Sequence, residues 1–328
     1  MIRSPLKWPG GKSRVLPDLL PLLPKADCLI EPFVGGASVF LGTEYRRYVL
    51  GDINPDLISF YRQITHWPDA VINAARPLFK IYGDVEGYIW IRGDFNARRR
   101  DCMASHDMHE GQPDAGSVLR AAQFLFLNRH AFNGVVRYNQ RGCFNVPFGR
   151  SKSAPYFPEE QIRLFSEKAR DTKAIFLCCS FQNTIKVTIG GDSVIYADPP
   201  YLPASETASF TQYHSSPFGR KEHRQLAAAL LEAQQQTGAQ VVISNSDTPA
   251  TREIYQHFKF HEISVQRSAG ASAKSRTPAG EVIGVLKVCP ACGSAGGGRC
   301  PDCGPCCGDA TYNAMVASGV FDGLGRAP

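Results

Sequence analysis

Asp198-Pro199-Pro200-Tyr201 closes an apolar run that starts at Ser193. Two consecutive prolines remove two backbone donors, so a strand that ends there cannot continue its ladder. What is left is a carboxylate, a rigid backbone and an aromatic ring. That set suits an amino group attached to a flat ring. The Asp198 carboxylate and the Pro199 carbonyl can each accept one N–H, and Tyr201 can stack on the ring. Hydrogen bonds of this kind favour a tetrahedral nitrogen and free its lone pair. Held rigid by the prolines, the acceptors are in place before substrate arrives. The competing reading is a turn that merely caps a strand.

Two acids upstream also end apolar runs. Glu31 lies in "CLIEPF" (Cys28–Phe33), and Asp52 ends "YVLGD" (Tyr48–Asp52). A small-residue loop, "EPFVGGAS", follows the first run, with Phe33 at its start and Gly35 within it. Such a loop lets backbone approach a ligand closely. An acid ending the next strand sits where dinucleotide folds bind ribose hydroxyls. Together these features favour a nucleoside ligand and weigh against a bare turn at Asp198. The dehydrogenase fingerprint G-x-G-x-x-G is absent. "GGKS" (Gly10–Ser13) lacks the preceding strand of a P-loop and has Leu6 where its first glycine belongs.

Positioning three acids at strand ends requires a sheet, and the periodicity supplies one. Residues 1–65 read as β–α–β–α, with Asn54 as an N-cap and Pro55 at the first helical position. From 66 to 171 the character changes. Three segments read as helices: "PDAVINAARPLFKIY", "VEGYIWIRGDFNARRR" and "SVLRAAQFLFLN". "VVRYNQRGCFNVPF" (Val135–Phe148) reads as a hairpin turning at Asn139–Gly142, and a helix starts near "PEEQIRLFSEKAR". Strand-length β-branched runs then resume at Ala174–Cys179, Ser193–Asp198, Gln240–Ser246, His261–Gln266 and Val282–Val288, with helices between. The expected fold is α/β: one Rossmann-like sheet shared by 1–65 and 172–288, interrupted by a mainly helical insert, 66–171, that carries a β-hairpin. Its ligand site belongs at the carboxyl ends of the strands.

The net charge of +6 is modest, but its distribution is uneven. Between Arg120 and Pro158 lie Arg120, Arg129, Arg137, Arg141, Arg150 and Lys152, interleaved with aromatics and free of Asp and Glu. This composition suits a partner lined with phosphates and offering bases to stack on. The plainer reading is a solvated face over an aromatic core. No apolar run approaches the roughly 18 residues of a membrane span, and "MIRSPLKWPGGK" lacks a signal-peptide core, so a cytoplasmic location is expected.

The motifs also identify a family. "KWPGGK" (Lys7–Lys12), "EPFVGGASVF" (Glu31–Phe40), "GDINPDLI" (Gly51–Ile58), "FLNRHAFNGVVRYNQRGCFNVPFGR" (Phe126–Arg150), "DPPY" (Asp198–Tyr201), "FTQYH" (Phe210–His214) and "ISNSDT" (Ile243–Thr248) occur in this order. The sequence resembles the Dam-type DNA adenine-N6 methyltransferases over about residues 5–288. The resemblance implies a methyltransferase sheet with a target-recognition insert, S-adenosylmethionine as methyl donor, duplex DNA as substrate and a monomer in solution. It assigns Trp8 and Lys12 to holding the cofactor, Asp52 to its ribose, Phe181 to its adenine, and Asp198 to the border of cofactor and target base. In the insert it points to Arg137 and Asn133 for base or phosphate contact and to Phe132 as a wedge in the base stack. Lys7, Val135, Asn139, Pro147, Arg150 and Lys152 are further candidates for DNA contact.

Two departures stand out. The family loop F-x-G-x-G is here Phe33-Val34-Gly35-Gly36-Ala37. Val135 and Ser151 stand where GATC-specific members carry larger residues. GATC is the expected target. Cytosine-N4 methylation uses the same amine chemistry and is the alternative reaction; a catalytically idle DNA-binding homologue is the alternative class.

Residues 289–328 form a Cys-rich tail. Cys289-x-x-Cys292 and Cys300-x-x-Cys303 supply two ligand pairs across a seven-residue, Gly-rich spacer. Four-cysteine zinc ribbons are built from such pairs. The spacer is shorter than usual for that pattern, and Cys306 and Cys307 offer competing ligands.

Overall fold

The central strands are buried along nearly their whole length rather than at every second residue, so each buries side chains on both faces and needs a layer on each side. The computed structural model describes residues 2–98, 114–150, 153–187, 192–202, 218–265, 279–287, 299–300 and 304–305. Seven strands form one sheet in the order β3-β2-β1-β4-β5-β7-β6. They are β1 (Cys28–Glu31), β2 (Arg47–Asp52), β3 (Ile175–Cys178), β4 (Ser193–Ala197), β5 (Gln240–Ser246), β6 (Phe258–Val265) and β7 (Ala279–Leu286). The first five pair in parallel; β7 runs antiparallel to both β5 and β6. This is the Rossmann-like α/β fold expected from the sequence.

Ten α-helices are described: α1 (Leu16–Leu19), α2 (Ser38–Gly42), α3 (Pro55–His66), α4 (Pro68–Ile81), α5 (Val85–Ala97), α6 (Ala115–His130), α7 (Glu159–Asp171), α8 (Phe181–Lys186), α9 (Arg220–Thr237) and α10 (Pro249–Ile254). Leu29, Leu50, Val194, Tyr196 and Val242 face one core, shared with α1–α7. Ile30, Val49, Ile195, Val241 and Ile243 face the other, shared with α8–α10. The inserted helices therefore pack into the same core as one face of the sheet. Asn54 caps α3 as its sequence predicts, its Oδ1 accepting from the Asp56 and Leu57 amides at 3.1 and 3.2 Å. Among the described residues no helix is long and apolar enough to cross a membrane.

Some local expectations shift. β6 starts at Phe258 and β7 at Ala279, each three residues before the sequence reading. The short helices α1 and α8 escape that reading, because four to six residues carry too little periodicity to register. The hairpin closes as expected: Gly142 takes φ +71° and donates to the Asn139 carbonyl at 2.7 Å. Its arms, however, form only an isolated bridge, Tyr138 to Phe144, rather than a ladder. Side chains of α5 hold it instead. The Asn96 amide both donates to and accepts from the Phe144 backbone (3.1 and 2.8 Å), and Tyr88 and Arg92 donate to the Val146 carbonyl.

Candidate active site and DNA-facing surface

The order of the sheet reverses between β1 and β4, so their carboxyl ends open a crevice. Glu31 ends β1, and Asp198 directly follows β4. Glu31 is buried, and its Oε1 has no hydrogen-bond partner. Burial, reinforced by the charge of Asp198, pushes its carboxyl up to about 8. The Asp198 carboxylate is treated differently at its two oxygens. Oδ2 pairs with the buried Lys12 ammonium at 2.7 Å, whereas Oδ1 is buried without a partner. Burial raises the Asp198 pKa and Lys12 opposes the rise. Lys12 also donates to the Gly10 carbonyl at 3.0 Å and lies 4.9 Å from the centre of the Tyr201 ring. The Tyr201 hydroxyl donates to Glu281 Oε2 at 3.1 Å.

The glycine loop folds against Asp52. The Gly35 amide donates to Asp52 Oδ2 at 3.2 Å and the Asn54 amide to Oδ1 at 2.9 Å, while the Tyr61 hydroxyl donates to the Gly35 carbonyl at 2.6 Å. Trp8 explains the missing side chains. A Cβ on Gly35 would lie 2.8 Å from Trp8 Nε1, and one on Gly36 2.7 Å from Trp8 Cβ. Ala37, where the family loop has glycine, adopts φ +57° at the start of α2, a left-handed conformation that costs an L-residue about 1–2 kcal/mol. Across the crevice Phe33 and Phe181 stack with centroids 5.5 Å apart, and Phe218 meets Phe33 edge-on at 5.6 Å. The fold thus brings Trp8, Lys12, Glu31, Phe33, Gly35, Asp52, Phe181, Asp198, Pro199 and Tyr201 to one end of the sheet. Sequence reasoning missed Tyr61, Phe218 and Glu281. None sits in a motif; Glu281 offered one signal, an acid in an apolar strand.

The insert presents a second surface. Phe132 is 55% exposed, and Asn133 takes φ +54°. Gly134 tolerates no side chain, because a Cβ would lie 2.3 Å from that of Lys7. The backbone of Lys7 pairs with the Asn128 amide (2.8 and 2.8 Å), and its ammonium donates to the Arg129 carbonyl at 3.0 Å. Burial, with the Arg129 charge, lowers the Lys7 pKa. Lys7 therefore ties the "KWPGGK" segment to the insert. Arg137 is exposed and donates from Nε to Asn145 Oδ1 at 2.9 Å. Asn139 accepts from the Cys143 amide at 3.0 Å and so shapes the turn. The Pro147 carbonyl accepts from the Phe132 amide at 2.9 Å. Val135 is half-buried and Arg150 exposed. Lys152, Ser151 and the "FTQYH" motif lie outside the described residues.

The basic footprint needs one correction. Arg120, counted within it, points inward: its Nε donates to Asp56 Oδ1 at 2.7 Å, and the guanidinium covers the Phe95 ring at 3.9 Å. Phe124, Phe126 and Phe144 are core residues. For these four the aromatic-core reading is the correct one, and Arg137, Arg141 and Arg150 remain at the surface. Among the described residues no group of three or more His, Cys, Asp or Glu is arranged to hold a metal. Cys289, Cys292 and Cys303 fall outside the described residues, and Cys300 is described only in the backbone of a short strand (Arg299–Cys300).

A Rossmann-like sheet with a carboxylate-lined crevice and an aromatic pair beside it fits an enzyme of the methyltransferase class, and the comparisons specify which. The family model for D12 class N6 adenine-specific DNA methyltransferases matches residues 8–269, and the chain belongs to that family. It is 42% identical over 286 residues to the DNA adenine methylase of Escherichia coli (strain K12), covering 87% of this chain and 95% of that protein. It is 41% identical over 282 residues to the DNA adenine methylase of Haemophilus influenzae, covering 86% and 92%. With the DNA adenine methylase of Vibrio cholerae it shares 39% over 285 residues, covering 87% and 96%. The chain is therefore an adenine-N6 DNA methyltransferase, which sets aside the idle binding module.

Proposed function

We propose that this enzyme methylates adenine N6 within GATC in duplex DNA, taking the methyl group from S-adenosylmethionine and acting as a cytoplasmic monomer on a base swung out of the helix. The observation that carries the reading is Asp198: one oxygen paired with Lys12, the other buried and partnerless at the mouth of the crevice. S-adenosylmethionine supplies an electrophilic methyl on a positively charged sulfur. The residues fit it. Asp52, which accepts from the Gly35 amide, would hold the ribose hydroxyls, Phe33 and Phe181 would flank the adenine ring, and Glu31, with a buried oxygen that has no partner among the described residues, would meet a cationic group. Trp8 and Lys12 hold the loop and the acid in place.

Asp198 Oδ1 and the Pro199 carbonyl accept the two N–H groups of the target amine, and Tyr201 stacks on its ring. With both N–H groups held, the nitrogen lone pair would be directed at the methyl that S-adenosylmethionine would supply, with no covalent enzyme intermediate; the N–C bond would form as the S–C bond breaks, S-adenosylhomocysteine would leave, and the surplus N6 proton would pass to solvent. Extruding the base costs roughly a few kcal/mol; the exposed Phe132 acts as the wedge in the stack, and Asn133 contacts base or phosphate. Residues 66–171 act as the target-recognition unit on the catalytic part formed by 1–65 and 172–288. Methylation of a random-sequence duplex, followed by mapping of modified bases, tests the reading. N6-methyladenine at GATC is expected. N4-methylcytosine without N6-methyladenine overturns it, and N6-methyladenine at another site overturns GATC alone.

Arg137 reads sequence in this scheme. With Nε occupied by Asn145, its two terminal nitrogens are the pair that would meet guanine O6 and N7. Arg137→Ala is expected to cut discrimination against near-cognate sites by about 1–3 kcal/mol. Equal weakening on every sequence, with a flatter salt dependence, would assign it to phosphate contact instead.

Glu31 gives a pH signature. Its carboxyl, raised to about 8, is protonated in the ligand-free enzyme at neutral pH, and a cationic ligand draws that proton off. S-adenosylmethionine affinity is expected to rise with pH through 8, with proton release at pH 7 seen by calorimetry in buffers of different ionisation enthalpy. The sign for stability is the reverse. The contribution of protonated Glu31 to the ligand-free fold is complete below the ordinary value of 4.5 and is lost as pH rises through 8. Glu31→Gln is expected to abolish both dependences.

In the tail, Cys289, Cys292, Cys300 and Cys303 are expected to bind one zinc ion per chain, because two C-x-x-C pairs supply four thiolates in a tetrahedron. Elemental analysis under reducing conditions checks this; absence of stoichiometric zinc rules it out. A chain ending at Val288 is expected to retain S-adenosylmethionine binding.

A further inference from the structure

The motif Asp198-Pro199-Pro200-Tyr201 poses a mechanical problem. Its two acceptors must be aimed to within a fraction of an ångström, yet its prolines have no N–H with which to anchor the backbone. Ring closure fixes φ at both prolines, so ψ is their remaining soft torsion. At Pro199, ψ is confined to extended values by the proline that follows. At Pro200 no such restriction applies, and the Pro200 carbonyl is the handle by which its ψ can be held from outside.

His223 of α9 takes that handle. Its ring is fully buried, with Nε2 at 3.0 Å from the Pro200 carbonyl oxygen and Nδ1 at 2.8 Å from the Tyr255 hydroxyl. A carbonyl can only accept, so Nε2 carries the proton; the neutral ring then accepts at Nδ1 from the tyrosine. Phe218 and Tyr255 pack edge-on against the ring, at centroid distances of 4.8 and 5.9 Å. Burial lowers the His223 pKa to about 4, which keeps the ring neutral through the working range.

The residues on either side are held by other groups. Lys12 pairs with Asp198, Glu281 accepts from the Tyr201 hydroxyl, Asn245 accepts from the Leu202 amide at 3.2 Å, and Ser246 donates to the Leu202 carbonyl at 2.6 Å. Among the described residues no donor reaches the Pro199 carbonyl.

We propose that His223, as the neutral tautomer protonated at Nε2, is a positioning residue that locks the Pro200 carbonyl and thereby aims Asp198 and the Pro199 carbonyl at the target amine. This rests on the reading of Asp198–Tyr201 as the amine-binding loop. His223 touches neither substrate nor cofactor; it acts through the loop. Its loss is therefore expected to slow methyl transfer without weakening S-adenosylmethionine.

The test uses the full-length chain, with single-turnover methylation of duplex DNA and S-adenosylmethionine binding by calorimetry. His223→Leu keeps the ring's bulk without a donor. It is expected to slow methyl transfer at least tenfold while the S-adenosylmethionine Kd stays within twofold. His223→Gln places an amide N–H near the position of Nε2 and is expected to recover most of that rate. A wild-type rate for His223→Leu, or a His223→Gln rate no better than His223→Leu, overturns the proposal.

Asp198→Ala, run in parallel, separates the two readings. If it retains the wild-type rate, the amine-loop reading fails; if it is inactive while His223→Leu is not, only the positioning role fails. Independently of how the variants fold, 15N NMR of histidine-labelled wild-type protein at pH 7 is expected to show His223 protonated at Nε2 and bare at Nδ1. A proton on Nδ1, alone or on both nitrogens, overturns the assignment.

Discussion

Asp198→Ala is expected to abolish methyl transfer while DNA binding largely persists. The substitution removes the acceptor on which the target amine depends and the partner of the buried Lys12 ammonium. Deleting one preorganised hydrogen-bonding group from a water-excluded site typically costs about 10²–10³ in rate. Here the same change also frees Lys12 to donate toward the space the amine would occupy, so a loss beyond a thousandfold is expected on that scale. Asp198→Asn keeps one acceptor and is expected to retain a measurable residue of activity. DNA affinity should change little, because the surface residues proposed to meet DNA lie, apart from Lys7, on the insert. Single-turnover rates and a DNA-binding titration on the same preparations check both halves. Near wild-type turnover by Asp198→Ala would place the chemistry elsewhere.

Asp56→Ala is expected to be the most damaging change to stability outside the hydrophobic cores. Asp56 lies in the first turn of α3 and accepts from Arg120 Nε at 2.7 Å and from the Tyr138 hydroxyl at 2.6 Å. Only 7% of the Arg120 side chain is exposed. Removing one partner of a buried pair leaves the other charge uncompensated, at a cost of about 3–5 kcal/mol. That is a large fraction of the roughly 5–15 kcal/mol by which folded proteins are stable. The expected readout is a marked fall in the urea midpoint. Asp56→Leu combined with Arg120→Met should recover much of it, since an apolar pair replaces the stranded charge. The double variant still lacks the acceptor for Tyr138, which adjoins Arg137 in the hairpin. Sequence discrimination is therefore expected to stay impaired after stability returns. If Asp56→Ala unfolds at the wild-type midpoint, the ion pair carries no stability.

These two acids differ in how far they could be read from the chain. Asp198 announces itself, because prolines on its carboxyl side and an aromatic after them have few structural uses. Asp56 is two residues beyond a capping asparagine, where an acid is ordinary at the start of any helix. Its partner is 64 residues away in the chain, so nothing local marks it. Arg120 was misassigned for the same reason: a run of basic residues carries the sign of its charge but not the direction in which each side chain points.

The strands show the same division. Apolar runs of strand length, bounded by turn residues, located β1–β5, since strand propensity and run length are local properties of the chain. Asn54 and Pro55 specified where α3 begins, because capping acts over three residues. The acids at the ends of β1, β2 and β4 and the Asp-Pro-Pro-Tyr motif were legible for that reason: composition and spacing along a few consecutive residues suffice. The family followed from their order. What tertiary structure alone decided are the partners brought from far along the chain. Trp8 excludes side chains from Gly35 and Gly36, α5 side chains hold a hairpin that has no ladder of its own, Glu281 holds Tyr201, and His223 grips Pro200. Each is a contact between segments whose separation is set by the packing of whole elements, and no periodicity within either segment encodes it.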